Sequence, residues 1–181
     1  MHFDLNHPVT NLIWSLTGGA LLLAAMGWDV KTHRIPNGLV ATGLVLGLLI
    51  AMLPGGLGLM PALYGGLVGL AVYLPLYFLR ILGAGDVKLL AAVGVYVGFP
   101  NVMGVALLTA LIGMVLSVLI ALRHHQLQHM VKQVYQGLMG FVFQMASGGR
   151  PRQWVMVVGP HRLPYALAMA MGTLTHLLLT H

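Results

Sequence analysis

The chain holds three carboxylate side chains, Asp4, Asp29 and Asp86, and no glutamate. Asp4 lies in a polar N-terminal tail. The other two each stand at the end of an apolar run, where an ionisable group is costly and marks function by default. Two aspartates facing one partly dry pocket titrate as a pair, because like charges at close range cannot both ionise cheaply. One keeps its proton and polarises a carbonyl, while the other is ionised and takes a proton from water. This division hydrolyses a peptide bond without a covalent intermediate.

The residues around each acid suit that chemistry. Asp86 sits in Gly83-Ala84-Gly85-Asp86-Val87-Lys88. Gly83 and Gly85 let the backbone turn tightly and lie open to an extended peptide. Gly85-Asp86 alone reads as the N-cap of a helix starting at Val87, since Asp is a favoured cap; cap and catalytic acid are compatible. Lys88 either biases Asp86 toward its charged form or snorkels to the interface as an anchor. Asp29 is followed by Lys31-Thr32-His33-Arg34-Ile35-Pro36-Asn37. Pro36 and Asn37 shape the turn there, with substrate contact secondary, and Lys31 and Arg34 act first as topology determinants.

The elements that hold these groups are membrane helices. Of the 181 residues 59% are hydrophobic and 7% charged, against about 25% charged in soluble domains, and the mean hydropathy is +0.90. The expected fold is all-α, one polytopic membrane bundle of about six transmembrane helices forming a single domain over 1–181. A span needs roughly 17–25 mostly apolar residues. The segments run from about Asn11 to Trp28, Gly38 to Leu53, Pro61 to Leu79, Asp86 to Phe99, Asn101 to Leu122 and Leu163 to Thr180. The fourth is short for a span. Between the last two, the stretch 123–162 reads as a cytoplasmic or interfacial segment, with an amphipathic first half. Intramembrane glycines (Gly18, Gly19, Gly43, Gly47, Gly65, Gly66 and Gly69) read as close helix contacts rather than catalysis.

The basic residues give the orientation. If Asp29 faces the cytoplasm and the chain crosses six times, all nine Lys and Arg fall on the cytoplasmic side, from Lys31 to Arg162. This satisfies the positive-inside rule and predicts both termini outside, with Asp29 and Asp86 on one cytoplasmic face. A pI near 10.1 raises nucleic acid, but the cations stand singly and form no stripe with interleaved aromatics, so no nucleic-acid partner is expected. With no cysteine there is no disulfide or thiolate zinc site. His124, His125 and His129 lack an accompanying carboxylate and read as a polar interfacial face, so neither metal nor cofactor is expected. The N-terminus has no basic region before its first apolar run, which argues against a cleaved signal peptide.

Taken together the motifs resemble the prepilin peptidases, membrane aspartic proteases of bacteria and archaea. Gly83-Ala84-Gly85-Asp86-Val87-Lys88 matches that family's Gly-x-Gly-Asp-x-Lys motif. Asp29 with Arg34-Ile35-Pro36-Asn37 matches its first motif, and His161-Arg162-Leu163-Pro164-Tyr165-Ala166 looks like the Pro-Tyr segment opening its last helix. The resemblance implies Asp29 and Asp86 as a catalytic pair. It also implies removal, at the cytoplasmic face of the inner membrane, of the short basic leader of type IV pilin-like precursors. Larger members carry a paired-cysteine N-terminal region and methylate the new N-terminus. This cysteine-free chain looks like the short peptidases of tight-adherence (Flp-type) pilus systems, which implies cleavage without N-methylation.

Partners implied are prepilin or pseudopilin substrates and membrane lipid, with a homo-oligomer compatible with the bundle. Two other functions stand beside the peptidase. A proton-coupled transporter would use the acids as relays, but relays belong nearer the bilayer middle than one face. A non-catalytic pilus or secretion assembly protein would keep the fold and lose cleavage.

Overall fold

The computed structural model describes residues 8–32, 35–78, 82–123 and 165–179, with the isolated positions 132, 135 and 139. These residues form six helices: α1 (Pro8–Thr32), α2 (Asn37–Ala51), α3 (Leu59–Phe78), α4 (Ala84–Val97), α5 (Asn101–Arg123) and α6 (Tyr165–Leu179). The expected all-α bundle is what forms. Leu12–Thr32, Leu59–Phe78 and Asn101–Ile120 are long and apolar enough to cross a membrane, and α2 and α6 are shorter apolar helices. His33, Arg34, Arg80, the histidines at 124, 125 and 129, Pro164 and nearly all of the 123–162 segment lie outside the described residues.

The short fourth segment is the centre of the bundle. α4 packs against all five other helices, and every residue from Leu89 to Val97 is buried. A helix apolar all round belongs inside. At 14 residues it is about 21 Å long at 1.5 Å per residue, shorter than a hydrocarbon core of about 30 Å. Protein, not lipid, therefore surrounds it. Its neighbours approach unusually closely through glycine: the Gly65 and Gly94 backbones meet so tightly that a Cβ on either would overlap the other, and a Cβ on Gly69 would stand 2.7 Å from the Leu90 carbonyl oxygen. Between helices in lipid, packing of this kind takes the place of the hydrophobic effect. The expected close contacts hold at Gly18, Gly43, Gly47, Gly65, Gly66 and Gly69, but Gly19 faces open space.

Several helix boundaries lie a few residues from the sequence expectation, and two of them bear on the acids. α1 does not stop before Asp29 but continues to Thr32. Lys31 in its last turn suits the negative end of the helix dipole, and the Thr32 hydroxyl bonds back to the Trp28 carbonyl. α4 begins at Ala84, so Asp86 occupies its third position and is not the N-cap; Gly83 is.

Candidate active site

Asp29 is placed by the periodicity of α1. Trp14, Leu21 and Ala25 form its buried face, and Asp29 follows Ala25 by four residues, on the same side. The carboxylate is therefore carried inward with the core and is 6% exposed. Its Oδ2 accepts a hydrogen bond of 3.0 Å from the Ala166 amide. Ala166 is the second residue of α6, one of the first-turn amides left without a helical partner. A charged acceptor on such an amide is worth about 1.5–3 kcal/mol.

Asp86 is held in a parallel way. Its Oδ2 accepts from the Gly83 amide at 3.0 Å, the reach-back of a capping box. Asp86 thus sits at the start of its own helix, where anions are favoured, while Asp29, in the last turn of α1, faces the start of α6. The stretches that follow and flank the two acids pack against one another, Ile35 on Gly85 and Asn37 on Lys88, so the fold brings both carboxylates to one end of the bundle. They come from α1 and α4, 57 positions apart in the sequence.

The two sequence motifs touch directly. A Cβ on Gly85 would stand 3.3 Å from the Ile35 Cβ, so Gly85 admits buried Ile35 against the start of α4. Lys88 Nζ donates to Asn37 Oδ1 at 3.0 Å, tying α4 to the first residue of α2. Neither expected role for Lys88, biasing Asp86 or anchoring at the interface, had included this bond. Pro36 precedes α2 in extended conformation, with φ −61° and ψ 131°, which fits a residue whose ring fixes φ and lacks an amide proton. Gly83 has φ −78° and ψ 153°, open to any residue, so its backbone demands no glycine. Its exposure leaves it accessible at the lip of α4.

Sequence reasoning missed three contributors. The Ala166 amide is a backbone group, invisible in residue types, 137 positions from Asp29. Tyr165, the neighbour of Ala166 in α6, places its hydroxyl 3.2 Å from the Tyr73 hydroxyl of α3. The Tyr165 position was noted only as the opening of the last helix. Tyr73, in an apolar span, gave no signal. Among the described residues no three of His, Asp, Glu or Cys gather as a metal site.

A family model described as the type IV leader peptidase family matches residues 16–118. The chain belongs to the type IV leader peptidase family. It is a membrane peptidase, and prepilin-type substrates follow from that membership. Asp29, Ile35, Asn37 and Gly83 through Lys88 lie inside the matched stretch, whereas Tyr165 and Ala166 lie beyond it. No curated protein and no solved structure matches the chain.

Proposed function

We propose that this leader peptidase is an aspartic endopeptidase whose catalytic pair is Asp29 and Asp86. What supports this reading is that the two acid-bearing stretches pack together at one end of the bundle, Ile35 on Gly85 and Asn37 on Lys88, with each carboxylate accepting from a helix-start amide. One carboxyl, protonated, donates to the scissile carbonyl oxygen. The other, ionised, takes a proton from water as its oxygen attacks the carbonyl carbon. The tetrahedral intermediate collapses when its C–N bond breaks and the leaving nitrogen gains a proton. Gly83, Gly85, Lys88, Pro36 and Asn37 shape the rim.

The substrate in this reading is a type IV pilin-like precursor, cut where its basic leader meets its hydrophobic helix, as in tight-adherence pilus systems. The acids face the cytoplasm across the inner membrane, which the one-sided distribution of Lys and Arg supports. The 181 residues contain no cysteine, and the activity proposed is cleavage without N-methylation. Co-expression with a candidate prepilin tests it, comparing wild type with Asp29→Asn and Asp86→Asn at matched membrane levels. Wild type converts precursor to mature form and each variant does not. Normal processing by either Asn variant removes that acid from the mechanism.

A further inference from the structure

Tyr73 is 1% exposed in the middle of the bundle, and a buried phenol needs a partner for its hydroxyl. Its Oη donates to the Ala106 carbonyl of α5 at 3.1 Å. It also lies 3.2 Å from Tyr165 Oη, and the two rings meet edge to face with centroids 6.1 Å apart. A hydroxyl has one proton. Since a carbonyl cannot donate, the Tyr73 proton belongs to Ala106, and Tyr165 must donate to Tyr73. The pair therefore has a direction, from Tyr165 on α6 through Tyr73 on α3 to the α5 backbone.

The next residue after Tyr165 is Ala166, whose amide holds Asp29. The hydroxyl chain thus fixes the first turn of α6 relative to α3 and α5, and with it the position of the Asp29 donor. Resting on the two-aspartate reading above, we infer that Tyr73 and Tyr165 are a positioning pair for the catalytic acids, setting where Asp29 stands without contacting substrate. Their fit matters because catalytic groups displaced by about 1 Å can lose on the order of 100-fold in rate.

Tyr73→Phe and Tyr165→Phe keep both rings and remove one hydroxyl each. The full-length purified chain would be assayed for leader cleavage with kcat and KM resolved, alongside its thermal unfolding midpoint. Asp29→Asn serves as the control for the catalytic reading. Ile50→Val, a buried change at the opposite end of α2 from Asn37, serves as the control for lost stability. The expected result is a fall in kcat of about 10- to 100-fold in each Phe variant with KM unchanged. The double variant should be no worse than the poorer single, because one chain of bonds is broken in either case. Ile50→Val should keep its kcat. The inference is overturned if both Phe variants stay within about twofold of wild-type kcat, if KM rises at constant kcat, or if the two losses multiply independently. It is overturned equally if Ile50→Val, at the same midpoint, loses as much activity. Cleavage by Asp29→Asn would instead remove the catalytic reading, and the inference with it.

Discussion

Gly69→Ala adds one methyl group between α3 and α4, and its effect can be worked through. The new Cβ would lie 2.7 Å from the Leu90 carbonyl oxygen, 3.2 Å from its carbon and 3.3 Å from Val102 Cγ2. The closest of these must open to the 3.4 Å of ordinary contact, so the helices part there by about 0.7 Å. No rotamer can relieve the clash, because the Leu90 atoms belong to the backbone. Overpacking of this kind costs about 1–3 kcal/mol, offset by about 1 kcal/mol from replacing a helical glycine with alanine. The net loss of stability is about 0–2 kcal/mol. The loss of activity should be larger. Leu90 is one turn beyond Asp86, about 6 Å along the axis, and catalytic groups tolerate only about 0.5 Å of displacement. We expect kcat for leader cleavage to fall about 10- to 100-fold while the unfolding midpoint moves modestly. Gly19→Ala, which meets nothing within 4 Å, is the control and should stabilise slightly at full activity. A Gly69→Ala protein with wild-type kcat would refute the reasoning, because the α3–α4 contact would not then be setting the position of Asp86.

Further outcomes are expected elsewhere in the molecule. Gly85→Ala should lower cleavage several-fold, and adding Ile35→Ala should not restore it, because the closest contact is with the Ile35 Cβ that alanine retains; restored activity in the double variant would count against this packing. A double-mutant cycle on Asn37→Ala and Lys88→Ala, read by thermal unfolding, should give a coupling of about 1 kcal/mol or less, since the bond is exposed. Trp14 meets the Tyr96 ring edge to face at 5.4 Å, a contact worth about 0.5–1.5 kcal/mol beyond its buried area; Trp14→Leu should therefore lower the unfolding midpoint and leave kcat intact, about 22 Å along α1 from Asp29. In intact cells a membrane-impermeant maleimide should label Met60→Cys and not Lys31→Cys, because the two positions fall on opposite sides in the proposed topology. Labelling of Lys31→Cys alone would invert it.

The helices were legible because long apolar runs broken by Pro, Gly and single cations admit little else in a membrane. The acids were legible because so few exist: with three carboxylates in the chain, two at the ends of apolar runs stand out. What stayed hidden follows from what residue types leave out. A string of apolar letters from Leu89 to Val97 reads the same for a helix facing lipid as for one walled in by protein. Five surrounding helices, meeting it through positions such as Gly65 and Gly69, make the difference. The continuation of α1 beyond Asp29 was masked by polar Lys31 and Thr32, which end an apolar pattern without ending a helix. The donor to Asp29 could not be read at all, because every residue except proline carries the same amide.

The Ala166 contact also orders events during synthesis. Asp29 and Asp86 emerge in the first half of the chain, and the matched family stretch ends at residue 118. The amide that bonds Asp29 belongs to a helix made after the other five described here. A nascent chain ending between α4 and α6 holds both acids but lacks the group that fixes one of them. On the proposed two-aspartate reading, leader cleavage would therefore arrive only with α6, when its first turn reaches Asp29.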